Sequence, residues 1–469
     1  MLFSSITFLY YFIPAVMLIY FIVPKKMKNT ALLLSSLFFY GWGEPRYLII
    51  MVSAIIAGYF FGRLIEYFRR SNKHKTAKFS LAVSLLFSFG MLVIFKYTDF
   101  FIANLNFTAH LSLPILNIAL PIGISFYTFQ TASYCIDIYR GDTEAQKNFI
   151  TYGTYISMFP QLVAGPIVRY SEISHQLENR SLNLDSISAG IRRFIIGLSK
   201  KVLIANTLAE LTGAFKAAED RSVLFVWIYA FAYAFYVYFD FSGYSDMAIG
   251  LGKILGFDFP ENFDYPYISR SITEFWRRWH MTLGRWFRSY LYIPLGGNRV
   301  SKFRLAVNIF IVWFATGFWH GAAWNFIIWG LFFAVLLIIE KLFLLKIFQK
   351  VSWIGHVYTC FFVLVSFVIF DNTSIKEGIG LLGNMFGFGN LPFVTSESLY
   401  YLKSYGVILA LAAIGSAPIV KKIIKAIKNH RAGEVFLSIA EPLVLALLLL
   451  TVTAFLVDKS FNPFLYFRF

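Results

Sequence analysis

Residues 331–339 read LFFAVLLII, and residues 31–40 read ALLLSSLFFY. Neither stretch alternates apolar and polar side chains, as the strands of a membrane β-barrel do. An uninterrupted apolar run suits a helix in lipid, because a helix bonds all of its backbone polar groups within the segment. The two stretches therefore predict membrane-spanning helices.

Comparable apolar runs recur between Ile6 and Val457, in a chain that is 58% hydrophobic and 14% charged. Because a bilayer core of roughly 30 Å needs about 20 apolar residues per helix, the runs correspond to about eleven to thirteen spans. We predict an all-α polytopic membrane protein with about 11–13 transmembrane or re-entrant helices. It forms a single domain over residues 1–469, with N-terminal helices in 1–140, a core in about 150–345 and C-terminal helices in 350–469.

The charge of the chain is strongly positive, with 42 Lys and Arg against 25 Asp and Glu. In a soluble protein this excess would suggest nucleic acid, but membrane proteins collect Lys and Arg in cytoplasmic loops. Lys25, Lys26 and Lys28 follow the first apolar run, which lacks a basic leader and a cleavage site. We therefore predict a retained first helix with an extracytoplasmic N-terminus and no nucleic-acid partner.

Two segments depart from the pattern of simple spans. Residues 152–169 are apolar but contain Pro160, Gly165 and Pro166, which predicts a broken or re-entrant segment. Residues 260–297 mix arginines with tryptophans, and four arginines at the bilayer centre would cost about 12 kcal/mol. We expect this second segment at the cytoplasmic interface or along a polar funnel.

His320 follows an apolar helix and lies between Trp319 and Gly321. An ionisable side chain near membrane depth is by default a functional candidate, although a hydrogen bond to a neighbouring helix is the plainer explanation. Imidazole can accept and donate protons near neutral pH. We predict that His320 is catalytic.

His280 ends the sequence EFWRRWH at residues 274–280, so on a helix Trp276 and Arg277 would share its face. Arginine forks bind phosphate bidentately, which predicts an anionic donor at Arg277, Arg278 and Arg285. Contact with anionic lipid, and packing of His280 at the headgroup level, account for the same residues. Both interpretations remain open at this point.

Other known chemistries find no support in the sequence. There is no phosphate-binding glycine loop, zinc-protease motif or serine-hydrolase elbow. Cys135 and Cys360 match no metal or redox spacing, so we predict no metal and inert thiols. Asp240 and Asp246, six residues apart, do not share a helix face and are not predicted to act as a carboxylate pair.

Several sequence blocks together resemble the membrane-bound O-acyltransferases, in the branch of the alginate O-acetyltransferase membrane subunit and its peptidoglycan-acetylating relatives. The blocks, in order, are MLFSS at 1–5, QLVAGPIVR at 161–169, residues 238–256, residues 274–288, SYLYIPLGGNR at 289–299, WHG at 319–321 and NPFLYFRF at 462–469. The resemblance covers nearly the whole chain.

This resemblance implies helices around a central tunnel, with the hallmark histidine at His320 and the second functional histidine at His280. It implies acetyl transfer from a cytoplasmic donor, acetyl-coenzyme A, to an extracytoplasmic partner that esterifies a glycan, in a bacterial inner membrane. Trp276 joins the arginines as a donor-binding candidate. The polar residues expected to line the tunnel are Gln161, Asp240, Tyr244, Asp246 and Asn325.

Two alternatives differ in class from glycan acetylation. A related branch transfers D-alanyl groups to teichoic acid and shares both histidines. A solute transporter would also place broken helices and polar residues at the membrane midplane, but transporters commonly contain a repeated half, and this sequence shows no internal repeat.

Overall fold

The computed structural model describes residues 1–372 and 374–458, and this part of the chain is helical without β-strands. Eight of its helices are long and apolar enough to cross a membrane, and the apolar helical stretch Phe8–Ile22 is shorter. The predicted class, an all-α polytopic membrane protein, is confirmed. The block at 462–469 and the end of the C-terminal helices lie outside the described residues.

The chain divides into two compact units. Unit 1 contains Met1–Phe194 and Met247–Pro260. Its helices are α1 Ile13–Ile22, α2 Lys28–Gly43, α3 Leu48–Arg70, α4 His74–Ala109, α5 Ile124–Arg140, α6 Phe149–Ser157, α7 Phe159–Leu162, α8 Tyr170–Glu178 and the first part of α9 Leu184–Ser199, with helical turns at Phe8–Phe12, Lys25–Met27 and Pro45–Tyr47.

The broken segment predicted at 152–169 is confirmed in unit 1. Helix α6 stops at Ser157, α7 adds one turn, and residues 163–169 are irregular. Residues 151–168 are buried, so irregular backbone occurs here where protein surrounds it. Tyr155 donates to the carbonyl of Val168 at 3.1 Å, which satisfies part of this backbone.

The apolar run at 114–139 predicts one span. This prediction is wrong for residues 114–123, because α5 begins only at Ile124. The carboxylate of Asp99 instead accepts hydrogen bonds from the backbone N–H groups of Leu116 and Ile118, at 2.9 and 3.0 Å. A side chain of α4 thereby satisfies backbone groups that a helix would have satisfied internally.

Unit 2 contains Ile195–Asp246 and Glu261–Phe469. Its helices, with the last residues of α9, are α10 Asn206–Ala217, most of α11 Val223–Ile254, α12 Ile272–Arg278, α13 Met281–Phe287, α14 Lys302–His320, α15 Trp324–Ile339, α16 Leu345–Lys350, α17 Ser352–Asp371, α18 Ile375–Met385, α19 Ser396–Gly415, α20 Ile419–Lys428 and α21 Arg431–Asp458, with turns at Lys200–Ala205, Pro266–Ile268, Arg288–Tyr292 and Glu340–Leu344. The predicted boundaries between N-terminal, core and C-terminal helices do not coincide with the boundaries of these units. The prediction of a single domain stays a prediction.

Helices α14 and α15 approach each other closely through two glycines. A Cβ on Gly317 would lie 2.4 Å from the carbonyl oxygen of Phe326, and one on Gly330 would lie 2.4 Å from that of Trp313. Small residues allow this spacing between helices in membranes. The pair is therefore fixed in register, with His320 as the last residue of α14.

Candidate active site

A cavity of about 450 Å³ lies in unit 2 beside the arginine-rich segment. Three arginines and one lysine line it, namely Arg277, Arg285, Arg288 and Lys341, and no acidic side chain belongs to its described lining. The wall also contains Trp276, Trp279, Trp313 and His280. A cavity whose described lining combines aromatic side chains with four cations and no acid suits an anionic ligand with an apolar part.

Helix α12, which carries Trp276 and Arg277, is anchored at its N-terminus by a buried acid. Glu340 is 0% exposed and accepts from the N–H and hydroxyl of Thr273 at 2.9 and 2.7 Å, and from the N–H of Ile272. A carboxylate at the first turn accepts hydrogen bonds from N–H groups that have no partner within the helix. Its negative charge also interacts favourably with the positive end of the helix dipole. This places Arg277 and the adjacent Lys341 on one cavity wall.

Arg278 is not brought into the cavity. Its guanidinium bonds Glu274 at 3.0 Å and Asp264 at 2.9 Å, and it is absent from the described lining. Neighbouring residues on a helix point about 100° apart, which separates Arg278 from Arg277. Of the predicted donor-binding residues, the structure brings together Arg277, Arg285 and Trp276.

His280 lies in the break between α12 and α13, in a left-handed conformation with φ 44°. Such a conformation costs a non-glycine residue of order 1 kcal/mol and tends to occur at functional sites. The side chain is 2% exposed and its Nδ1 lies 3.1 Å from Oδ1 of Asn262. Burial lowers the pKa of His280 to about 3, so the imidazole is neutral at physiological pH.

His320 is half-buried and does not line the 450 Å³ cavity. The Trp319 ring contacts both histidines, with centroid distances of 6.1 Å to His280 and 4.9 Å to His320. His320 also contacts Trp329 at 4.9 Å and Phe370 at 5.7 Å. Both histidines thus pack against the same tryptophan, and of the two only His280 belongs to the described lining of the cavity.

An aromatic wall leads from the cavity to His320. Trp276 contacts Trp313 at 4.6 Å and Trp329 at 5.6 Å, and Trp329 in turn contacts His320. Trp329 is 3% exposed, whereas Trp276 and Trp313 are half-buried. Aromatic contacts thus connect the cavity lining with His320.

The other predicted polar residues lie apart from the cavity lining. Asp240 pairs with Lys201 at 2.6 Å, and Asp246 pairs with Lys200 at 2.7 Å. Asn325 donates to the carbonyl of Phe370, next to His320, and Tyr244 is buried in α11. Gln161 is buried in unit 1, where it donates to the carbonyl of Tyr155. Their role in lining a tunnel stays a prediction.

Sequence analysis did not single out Lys341, Asn262 or Trp329. Lys341 follows a long apolar run and resembles an ordinary helix-end lysine. Trp329 resembles a membrane tryptophan, and Asn262 is one polar residue in a loop. The one available sequence signal pointed to Lys341, which directly follows the acid Glu340 after an apolar run. An acid in such a segment commonly has a structural or functional partner.

Comparison with known proteins places this geometry in a family. The model of the membrane-bound O-acyltransferase family matches residues 144–371, which contain the cavity and both histidines. The chain is 37% identical to a probable alginate O-acetylase of Pseudomonas putida, over 100% of both chains. The chain belongs to the membrane-bound O-acyltransferase family.

Membership makes the chain an acyltransferase, which rules against the transporter alternative. It is also 35% identical to the peptidoglycan O-acetyltransferase of Helicobacter pylori, over 82% of this chain and 80% of that one. The teichoic acid D-alanyltransferase of Bacillus subtilis is 31% identical over 53% of this chain and 68% of its own length. The acetyl-transferring relatives thus cover more of the chain.

Proposed function

We propose that this membrane acyltransferase takes acetyl from cytoplasmic acetyl-coenzyme A and passes it across the membrane to a hydroxyl group of a cell-envelope or extracellular glycan. An extracytoplasmic partner protein assists the last step. The observation that carries the proposal is the cavity that is lined by four cations and by His280. The names of the full-length relatives support an alginate-like or peptidoglycan acceptor.

The donor fits the cavity by its chemistry. Coenzyme A carries several phosphate charges at one end and a thioester on a flexible arm, and four cations line the cavity without a described acid. Arg277, Arg285, Arg288 and Lys341 bind the phosphates, and the arm reaches towards His280. The basic residues near this end of α14 and α16, Lys302, Arg304 and Lys350, favour a cytoplasmic position.

At the other end, His320 acts as the general base. The acceptor hydroxyl oxygen attacks the thioester carbonyl carbon while the imidazole takes the hydroxyl proton. The carbon–sulfur bond then breaks, and the thiolate leaves with the proton that the imidazole returns. Trp319 and Trp329, which contact His320, provide apolar surroundings in which the acetyl group meets the acceptor.

A second cavity, of about 520 Å³, supports a separate approach for the acceptor. Lys216, Tyr229, Asp371 and Glu377 contribute to its lining, and Asp371 follows Phe370, which contacts His320. Lys216 pairs with Asp371 at 2.6 Å. Polar side chains close to Phe370, which contacts His320, suit a hydroxyl-rich acceptor or a loop of the partner protein.

The decisive experiment uses inside-out membrane vesicles that contain the chain and its extracytoplasmic partner, supplied with labelled acetyl-coenzyme A. We expect label in base-labile esters on the glycan fraction. If label appears only when alanyl carrier protein replaces acetyl-coenzyme A, the D-alanyl alternative is correct. Failure of both donors contradicts the proposed donor class.

Arg277 and Arg278 form a matched pair for testing the donor site. We expect Arg277→Gln to raise the KM for acetyl-coenzyme A about tenfold, because it removes one charge-assisted contact worth about 1.4 kcal/mol or more, with a smaller change in kcat. Arg278→Gln should leave KM within about twofold, because Arg278 faces Glu274 and Asp264. Equal effects of the two substitutions would contradict the assignment.

A further inference from the structure

Asn262 lies at the centre of a hydrogen-bond network around His280. Its side chain is 0% exposed. Its Oδ1 lies 3.1 Å from Nδ1 of His280, 2.9 Å from the hydroxyl of Thr282 and 3.3 Å from the backbone nitrogen of Thr282. Its Nδ2 donates to the hydroxyl of Ser245 at 3.1 Å. All of these groups belong to unit 2.

This network determines which ring nitrogen of His280 carries the proton. A backbone N–H can only donate, so the Asn262 atom that faces the nitrogen of Thr282 must be the carbonyl oxygen. That same oxygen faces Nδ1 of His280, which must therefore donate to it. Nε2 then carries a lone pair. It is buried without a hydrogen-bond partner among the described residues, on a side chain that lines the donor cavity.

The backbone around His280 explains why the position of the ring depends on Asn262. Met281 donates to the carbonyl of Asn262, and Asp264 donates to the carbonyl of Arg278, both at 2.9 Å. These bonds join the loop to both sides of the left-handed turn at His280. Because no continuous helix holds His280, the loop residue Asn262 sets the orientation of its ring.

We propose that Asn262 is a positioning residue that holds His280 in the Nδ1–H tautomer, so that Nε2 accepts a hydrogen bond from an N–H or O–H group of the acyl donor. The partner group on the donor is a neutral amide or hydroxyl, because the Phe241 and Trp319 rings pack against the imidazole and a charged group would be desolvated there. This inference rests on the proposed function in one respect, namely that the acyl donor binds in the cavity.

The surroundings of His280 keep it neutral, as an acceptor requires. Phe241 and Trp319 pack against the ring at 4.7 and 6.1 Å, and the charged groups on the same cavity are all positive. Those groups are Arg277, Arg285, Arg288 and Lys341. Positive neighbours and burial both disfavour an imidazolium ion.

The tautomer can be measured without any activity. Protein labelled with ¹⁵N-histidine is examined in detergent by NMR, with His280→Gln used to assign the resonance, because protonated and bare ring nitrogens have separate ¹⁵N shifts. We expect wild type and Thr282→Val to show a protonated Nδ1. Asn262→Leu should lose this preference, and Asn262→Asp should retain it because a carboxylate also accepts from Nδ1.

The same variants are then compared in acyl transfer. We expect Asn262→Leu to raise the donor KM at least tenfold with a smaller loss of kcat, whereas Asn262→Asp and Thr282→Val stay within about threefold. A folded Asn262→Leu with the wild-type tautomer overturns the positioning role. If the tautomer changes as expected but the wild-type protein transfers no acetyl, the proposed function fails and the positioning role stands.

A second inference arises from α20, which connects α19 and α21, two helices long enough to span a membrane. The described side chains of α20 are not buried, so it lacks a packed protein face. Its sequence, IVKKIIKAIK at 419–428, places Lys421, Lys422, Lys425 and Lys428 within about a third of the helix circumference. The isoleucines and Val420 occupy the opposite side.

We infer that α20 lies flat on the membrane surface and binds anionic phospholipid headgroups. An amphipathic helix with lysines on one face and branched apolar residues on the other partitions into the headgroup boundary. The two flanking spans hold α20 at that level, and its four lysines complement anionic headgroups. The occupant of its apolar face is therefore lipid.

Single fluorophores attached at Ile424→Cys and Lys422→Cys test the inference in full-length protein, with Cys135→Ala and Cys360→Ser in the background. The protein is placed in phosphatidylcholine vesicles with and without phosphatidylglycerol. We expect brominated acyl chains to quench the probe at 424 and not the probe at 422. Quenching at 424 should increase with phosphatidylglycerol and decrease at high salt.

Substituting the four lysines by glutamine should abolish the response of the 424 probe to phosphatidylglycerol and salt. Three exposed lysines near the junction of α3 and α4 provide the matched control, because their substitution removes charge from another part of the chain. They are Lys73 in the loop and Lys75 and Lys78 at the start of α4. Equal quenching at 422 and 424, or a response to phosphatidylglycerol that survives loss of the four lysines, overturns the inference.

Discussion

Acyl transfer is expected to fall about 10³-fold when His320 is replaced by alanine, with little change in the KM for the donor. A positioned general base contributes roughly 10² to 10⁴ to a rate, and His320 does not line the donor cavity. The loss should therefore appear in kcat. Initial rates with labelled acetyl-coenzyme A, at a series of donor concentrations, separate the two parameters.

Two further variants make this result specific to proton transfer. His320→Gln retains polarity and much of the volume but cannot serve as a base near neutral pH, so it should be as impaired as His320→Ala. His430→Ala removes an exposed histidine and should keep the wild-type rate. A correctly inserted His320→Ala with more than a third of wild-type turnover would exclude the catalytic role.

The sequence identified the helical class because that class follows from apolar run length alone. It also placed the break near Pro160 correctly, since proline and glycine act locally. It failed at residues 114–123, where apolar side chains suggested a helix but Asp99 satisfies the backbone from another part of the chain. Long-range hydrogen bonds of this kind leave no local pattern.

At the site, the sequence could identify residue types but not their directions. The sequence alone does not distinguish Arg277 from Arg278. Their surroundings differ because of the break at His280 and because Glu274 and Asp264 bind Arg278. Asn262 acts through a loop that meets His280 from 18 residues away. The histidines themselves were identifiable because an ionisable residue in an apolar chain is costly.

Trp319 contacts both histidines of the site, but their other surroundings differ. His280 lines the cationic cavity, whereas His320 is outside the described lining and contacts Phe370. This difference fits the proposed transfer, in which His280 contacts the acyl donor and His320 acts on the acceptor hydroxyl.

The second large effect that we expect is a loss of stability when the buried ion pair between Asp240 and Lys201 is broken. Each side chain is 2% exposed, their charged atoms lie 2.6 Å apart, and Lys201 also donates to Asn206. Removing one partner from a buried pair costs about 3–5 kcal/mol, because a charge is left buried without its counter-ion. We therefore expect Asp240→Ala to lower the thermal unfolding temperature in detergent by several degrees.

The double variant Lys201→Met with Asp240→Leu tests whether the pair only stabilises the fold or also takes part in acyl transfer. Replacing a buried ion pair by apolar residues of similar volume is often neutral, so this variant should recover most of the unfolding temperature and retain acyl transfer. Asp246→Ala is the comparison, because its pair with Lys200 is 16% and 26% exposed and should cost less. If the double variant is stable but inactive, Asp240 takes part in transfer, as its predicted position along the tunnel implies. Recovery of both properties assigns the pair to holding α11 against the turn at Lys200–Ala205.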